Sequence, residues 1–235
     1  LLDKAAEMKE AILCHDHPEV ARALLAMSNN LLGPGYYHDS TEVSDAAIAI
    51  ATSKFAHKSP FLVDCLHNRG NVLRDTGHAA EADPHYQQAL YFARQYFGDS
   101  SPAYAILLKD LAESQRRQGL LLEARETLKD CIKIHTEVYG RDHWVTAQAV
   151  MVLALVLKDE GKMDDSLSML QNLCIPALEE GLGESHPWYV FAHGMQGICL
   201  KHTTIGHKEH NSSMEAHERV LLEEVSREGE EYVDN

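Results

Sequence analysis

The sequence lacks the short patterns that usually mark catalytic and metal centres. It has no CxxC or HExxH, and no GxGxxG or GxxxxGK[ST] to cradle a phosphate. Cysteine is scarce and odd in number. Cys14, Cys65, Cys131, Cys174 and Cys199 fit reduced thiols of the cytoplasm or nucleus better than a disulfide framework. Long apolar runs are missing too, the longest being Val145 to Leu157, too short to cross a bilayer. The opening LLDKAAEMKE has neither a basic leader nor a starting Met, so the expectation is an excised piece without a visible address. Basic charge is short, with 21 Lys and Arg against 36 Asp and Glu, a net of −15 that opposes phosphate backbones and anionic lipid. The expectation is therefore no enzyme, no cofactor, no nucleic acid and no membrane insertion. What remains is 45% hydrophobic and 24% charged, the balance of a soluble folded chain.

What the chain has instead is a clock. Gly35, Gly77, Gly119 and Gly161 recur every 42 residues, each in a polar turn between two apolar-periodic stretches. Pro18, Pro60, Pro102 and Trp144 keep the same step, and Pro187 follows after 43. The prolines follow His17, Ser59, Ser101 and His186, and Ser-Pro suits a helix start because Ser caps free amides while Pro has none to leave unpaired. Each unit reads as helix A, glycine turn, helix B and a short loop. Small residues keep time as well: Ser28, Gly70, Ala112 and Ala154 before the turn, Ser40, Ala82, Ala124 and Ser166 after it, where two helices must approach closely. Further along helix B, Ala47, Ala89 and Cys131 share a register in which Leu173 is the large exception. Large apolar residues fill the alternate places: Leu24, Leu66, Leu108 and Val150 in helix A, Tyr86, Leu128 and Leu170 in helix B.

With its turn glycine, paired small residues and the helix B patterns EADPHYQQAL and EARETLKDCI, the chain resembles the tetratricopeptide repeat. The standard repeat is about 34 residues. The 42-residue step, with loops such as YFGDSSP, YGRDHW and LGESHPW, resembles the variant of kinesin light chains and nephrocystin-type proteins. The resemblance implies an all-α, right-handed solenoid. Its parts are the tail of a truncated repeat (1–16), full repeats at 17–58, 59–100, 101–142 and 143–185, and a fifth, irregular repeat with a charged capping helix about Met214 to Arg227 (186–235). Pro84, early in a helix B, is expected to kink it or delay its start, and Pro176 to bend or fray another.

In such an array the concave face is lined by helix A, and function usually means gripping a segment of another protein there. The resemblance places Arg22, Leu25, Ala26, Asn29 and Leu32 on that face, then Asp64, His67, Asn68, Asn71 and Arg74, then Ile106, Lys109, Asp110, Glu113 and Arg116, then Gln148, Met151, Val152, Leu155 and Lys158. Arg74, Arg116, Lys158 and Lys201 form a ladder with steps of 42, 42 and 43. Such cations suit carboxylates of an acidic peptide. They also lie in the last turn of helix A, where a cation offsets the helix dipole without any ligand, and both readings stand. Kinesin light chains typically carry Asn at the place of Asn68 in unit after unit, resembling a clamp on peptide backbone. Here the equivalents are Ala26, Asp110 and Val152, so that mode is expected around Asn68 alone. The expected groove residues are Asn68, Asn71, Arg74, Lys109, Arg116, Met151, Leu155, Lys158 and Lys201. The expected partner is a protein or peptide, with acidic character. The alternative is an architectural spacer that uses its convex face and ends.

Two clusters invite chemistry. Cys199, His202, His207, His210 and His217 have poor metal spacing, and Cys14-His15-Asp16-His17 reads as an ordinary loop before a helix A. Cys131 falls on a packing position and reads as core.

Overall fold

The computed structural model describes residues 17–32, 36–54 and 59–203. The expected helix tail before residue 17, the Gly35 turn and the helix about Met214 to Arg227 lie outside them. Among the described residues every regular element is helical: α1 (Pro18–Leu32), α2 (Tyr37–Lys54), α3 (Pro60–Asp75), α4 (Ala79–Phe97), α5 (Pro102–Arg117), α6 (Leu121–Tyr139), α7 (Trp144–Asp159), α8 (Met163–Met169), a wide π turn (Leu170–Cys174) and α9 (Ile175–Leu182). Residues 187–203 form a further helix, α10. Odd and even helices pair as A and B up to α7 and the α8–α9 rod, and each element packs on its sequence neighbours, with next-nearest contacts confined to helices of one layer and to adjoining repeats. The fold is an α-solenoid.

The starts of helix A follow from their caps. Ser59 Oγ accepts from Phe61 N at 3.2 Å and Ser101 Oγ from Tyr104 N at 3.2 Å. Histidine does the same work elsewhere: His17, His143 and His186 each accept, through Nδ1, the amide two residues on, at 3.1, 3.2 and 3.2 Å. Part of the histidine content is thus spent on capping orphan amides. The ends repeat as faithfully. Gly77, Gly119 and Gly161 take φ of 89°, 80° and 81°, a region that favours glycine, and their amides donate to the carbonyls of Arg74, Arg116 and Lys158. The following amides of His78, Leu120 and Lys162 reach back to Leu73, Gln115 and Leu157, closing the same cap three times.

Within each hairpin the small residues meet. Ser28 and Ser40 exchange hydroxyl and carbonyl bonds at 2.9–3.1 Å, and Ser166 Oγ donates to Ala154 O at 2.7 Å. A Cβ on Gly70 would lie 2.7 Å from the ring of Tyr86, so the fully buried Tyr86 fits because Gly70 has no side chain. Leu128 and Leu170 hold the Tyr86 place opposite Ala112 and Ala154. Cys131 is buried, donates its thiol to Ala105 O at 3.2 Å, and burial pushes it up to about 12.

One alternative of each of the two expectations about helix B falls, the delayed start at Pro84 and the fraying at Pro176. Pro84 neither delays α4, which starts at Ala79, nor interrupts it, because the one carbonyl it leaves without an amide belongs to exposed Ala80. Pro176 does not fray its helix, which runs to Leu182. The π turn just ahead of it absorbs the missing amide. That turn inserts one residue, so Cys174, fully buried, takes the small place that a strict count gives to half-buried Leu173.

Candidate functional site: the concave face of the helix A layer

The last turns of α3, α5 and α7 lie side by side, and the cations of the ladder emerge there among carboxylates. Arg74 donates to both oxygens of Asp75, at 3.0 and 3.3 Å, and its Nη1 lies 3.5 Å from Asp110. Arg117 reaches back from α5 to Asp75 at 3.1 Å and to the carbonyl of Arg74 at 3.1 Å. Glu113 accepts from Arg116 through both oxygens at 2.8 Å and from Arg117 at 3.0 Å. Arg116 also pairs with Asp159 of α7, which in turn holds Lys158 at 2.7 Å. The chain of contacts is unbroken from Asp110 to Lys158 and crosses three repeats.

Asp110 is the hub at the other end. His67 Nε2 lies 2.6 Å from its Oδ2, and Lys109 Nζ 3.7 Å from its Oδ1. Burial would push its carboxyl up, but the charges of Lys109, His67 and Arg74 outweigh this and hold it well below the usual carboxylate range. Glu113 and Asp159 are likewise held low, against burial, by their arginine and lysine partners. Five cations, Arg74, Lys109, Arg116, Arg117 and Lys158, thus face four carboxylates, Asp75, Asp110, Glu113 and Asp159. The ladder is largely neutralised from within.

The two asparagines are engaged in the same way. Asn68 is buried, accepts from Ser28 Oγ at 2.8 Å and donates to Asn29 Oδ1 at 2.6 Å, tying α3 to α1. Asn71 accepts from Tyr86 OH at 2.8 Å, and its Nδ2 lies 3.3 Å from His67 Nε2. Met151 is fully buried in the core between α7, the α8–α9 rod and α10, and Leu155 packs half-buried against that core. Lys201, on α10, is exposed. The structure brings Arg74, Lys109, Arg116 and Lys158 together, places Asn68 and Met151 beneath the surface, and leaves Lys201 apart from the network.

The surface changes along its length. From α5 onward, apolar side chains come out on the concave positions: Ile106 is 39% exposed, Phe191 44% and Ile198 47%, with Leu155 between them. Phe191 and Ile198 escaped the sequence reading because only the ladder position, Lys201, was carried into the fifth helix A. The 43-residue step from Gln148 and Leu155 points to both. Arg117 was missed as well, although Asp75, Arg117 and Asp159 alternate in sign at 42-residue steps next to the ladder. Cys199, buried, lies 3.6 Å from Ser166 Oγ, and His202 is the other described member of its cluster. Among the described residues no group of His, Cys, Asp and Glu could hold a metal ion. No helix among them is long and apolar enough to cross a membrane.

The sequence model of the tetratricopeptide repeat family matches residues 62–137, the stretch from α3 to α6. Those residues carry tetratricopeptide repeats. Among solved structures the array is similar to the TPR-like repeats of a Podosopora anserina protein described as a kinesin light chain, at 16% identity and a TM-score of 0.66, over 82% of this chain and 90% of that one. It is similar also to BtubC (BKLC) from P. vanneervenii, at 12% identity and 0.67, over 85% and 79%. A Rap protein complexed with competence and sporulation factor matches at 20% identity and 0.68, over 85% of this chain and 56% of that one. At these identities the likeness is one of fold, and it is to arrays of the kinesin light chain type. Among curated proteins none matches the sequence. Tetratricopeptide repeats are generally protein-interaction scaffolds.

Proposed function

We propose that this array is a non-enzymatic scaffold that holds a segment of a partner protein on its concave face, across α5, α7 and α10. The observation that carries this reading is the division of the face. Where the ladder is closed by its own carboxylates little charge is left over, whereas Ile106, Phe191 and Ile198 keep apolar surface in water beside Leu155. Apolar area is what a bound segment gains most from covering, at about 25 cal/mol per Å² before the costs of association. Lys158 and Lys201 border this stretch, so a carboxylate of the partner near Lys201 would fix its direction. Asn68, Asn71, Arg74, Lys109 and Arg116 act as the stiff polar half of the groove, and Met151 as its floor. The Rap neighbour, solved with competence and sporulation factor, is consistent with a segment held by such an array.

Selection from a random-peptide display library on the intact chain tests this reading. It predicts enriched peptides with clustered apolar residues and an acidic neighbour. Their binding is lost in the Phe191→Asp/Ile198→Asp variant and kept in Tyr91→Asp, which alters an exposed side chain of the helix B layer. Enriched peptides that bind the double variant unchanged, or no enrichment at all, would refute it.

A further inference from the structure

The loop edge between α6 and α7 departs from the repeat in two matched places. Pro18, Pro60, Pro102 and Pro187 open their helices, but Trp144 opens α7, and where helix B carries Tyr96 and Val138 ahead of its closing glycine, α9 has Gly181. The two changes fit each other. A Cβ on Gly181 would lie 2.6 Å from the Trp144 indole, so the ring takes the room that the missing side chain leaves. Beside it the rings of Tyr139 and His143 stack at 5.0 Å and 18°, and those of His143 and Trp144 lie 5.5 Å apart. Tyr139 is exposed, and His143 and Trp144 are half-buried. A cleft of about 590 Å³ opens onto these three rings and onto Arg141, Asp142 and Glu180, a size common for small-ligand sites. No concave position lines it.

The charge around the cleft favours a cation. The carboxylates of the ladder are all paired, whereas Asp142 and Glu180 take part in no ion pair among the described residues, and Arg141 opposes only one of the two. The last turns of α6 and α9 both reach the cleft, and neither carries Lys or Arg. In α4 that turn has its own cation, Arg94, paired with Asp99 at 3.4 Å, at the place that Thr136 and Glu179 hold in α6 and α9. Two helix C-termini without a cation of their own draw positive charge, while the opposing N-terminus of α7 is capped by His143 Nδ1. Arg22 stands over the ring of Phe61, but among the described residues no Lys or Arg stands over Tyr139 or Trp144.

We propose that this cleft binds an alkylammonium group, either free or at the end of a partner's lysine side chain. The aromatic rings supply cation–π attraction, which is largest for Trp and for a cation shielded from water, and Asp142 and Glu180 supply the countercharge. The inference is independent of what the groove binds.

Fluorescence of the Trp188→Phe variant, in which Trp144 is the single indole, tests it at constant ionic strength. The probes are choline, the neutral alcohol in which carbon replaces its nitrogen, and Nα-acetyl-lysine methylamide. Choline or the lysine derivative changes the emission saturably, at a half-saturating concentration at least about tenfold below that of the neutral alcohol. Whichever of the two acts at the lower concentration identifies the source of the cation. Adding Asp142→Asn/Glu180→Gln raises that concentration at least about threefold, and adding Asp130→Asn, in the neighbouring cleft beside Arg94 and Tyr104, leaves it unchanged. The proposal is overturned by the absence of a saturable response to either cation, by an equal response to the neutral alcohol, or by a response that Asp142→Asn/Glu180→Gln leaves untouched.

Discussion

At the scale of single residues the array shows how one contact can be solved in two ways. Gly70 with Tyr86 occupies the site that Ala112 fills with Leu128 and Ala154 with Leu170. Gly70→Ala alone should cost about 1–3 kcal/mol, because the new methyl runs into a ring that is packed on all sides and bonded to Asn71. Adding Tyr86→Leu should recover part of that loss, and a denaturant double-mutant cycle measures the coupling. Acid stability is also decided by single side chains. Burial, with the charges of Lys109 and His143, pushes His135 down to about 4, so its contribution is present above its unfolded value near pH 6.5 and is lost as pH falls through about 4. Asp110 is depressed from about 3.9, so its share is complete above that value and declines only in stronger acid. Stability measured against pH should therefore fall in two stages. His135→Leu should shrink the first and Asp110→Asn the second, to which Glu113 and Asp159 also contribute, the latter variant also costing about 2–4 kcal/mol at neutral pH by leaving Arg74 and Lys109 without their shared carboxylate.

At the scale of elements, the places where helices begin, turn and end were legible because each rests on local chemistry: a Ser or His cap, a proline at the first turn, a glycine at positive φ. What misled the reading of helix B was a count that assumed an unbroken α-helix. The signal was nonetheless present, since Pro187 and Lys201 come after 43 residues and not 42, and the π turn at Leu170–Cys174 is where the additional residue is stored. Deleting Asn172, an exposed residue of that turn, should leave Ser166, Leu170, Cys174, Ala177 and Leu178 on one face of an ordinary helix, but with Pro176 inside it, and lower the melting temperature by about 4–8 °C. Deleting exposed Asp130 from α6, which stores no such residue, should rotate Cys131, Ile134 and His135 off the core and lower it by well over about 8 °C. Equal responses to the two deletions would contradict this account of the 43-residue step.

At the scale of the whole molecule, the solenoid and the position of its concave face followed from the period. The state of that face did not. A ladder of cations is visible in one unit after another, but whether each finds a carboxylate depends on how neighbouring repeats are rotated, and Arg116 with Asp159 or Arg117 with Asp75 meet only across that rotation. The groove that emerges is stiff and nearly neutral at α3 and α5 and apolar toward α10, so its grip should lie at the apolar end. Methyl NMR of the intact chain with a library-selected peptide measures this directly. The account predicts that Ile106, Leu155 and Ile198 shift on binding while Leu122 and Val138 of the helix B layer stay in place. Shifts confined to Leu122 and Val138, with Ile106, Leu155 and Ile198 unmoved, would contradict it.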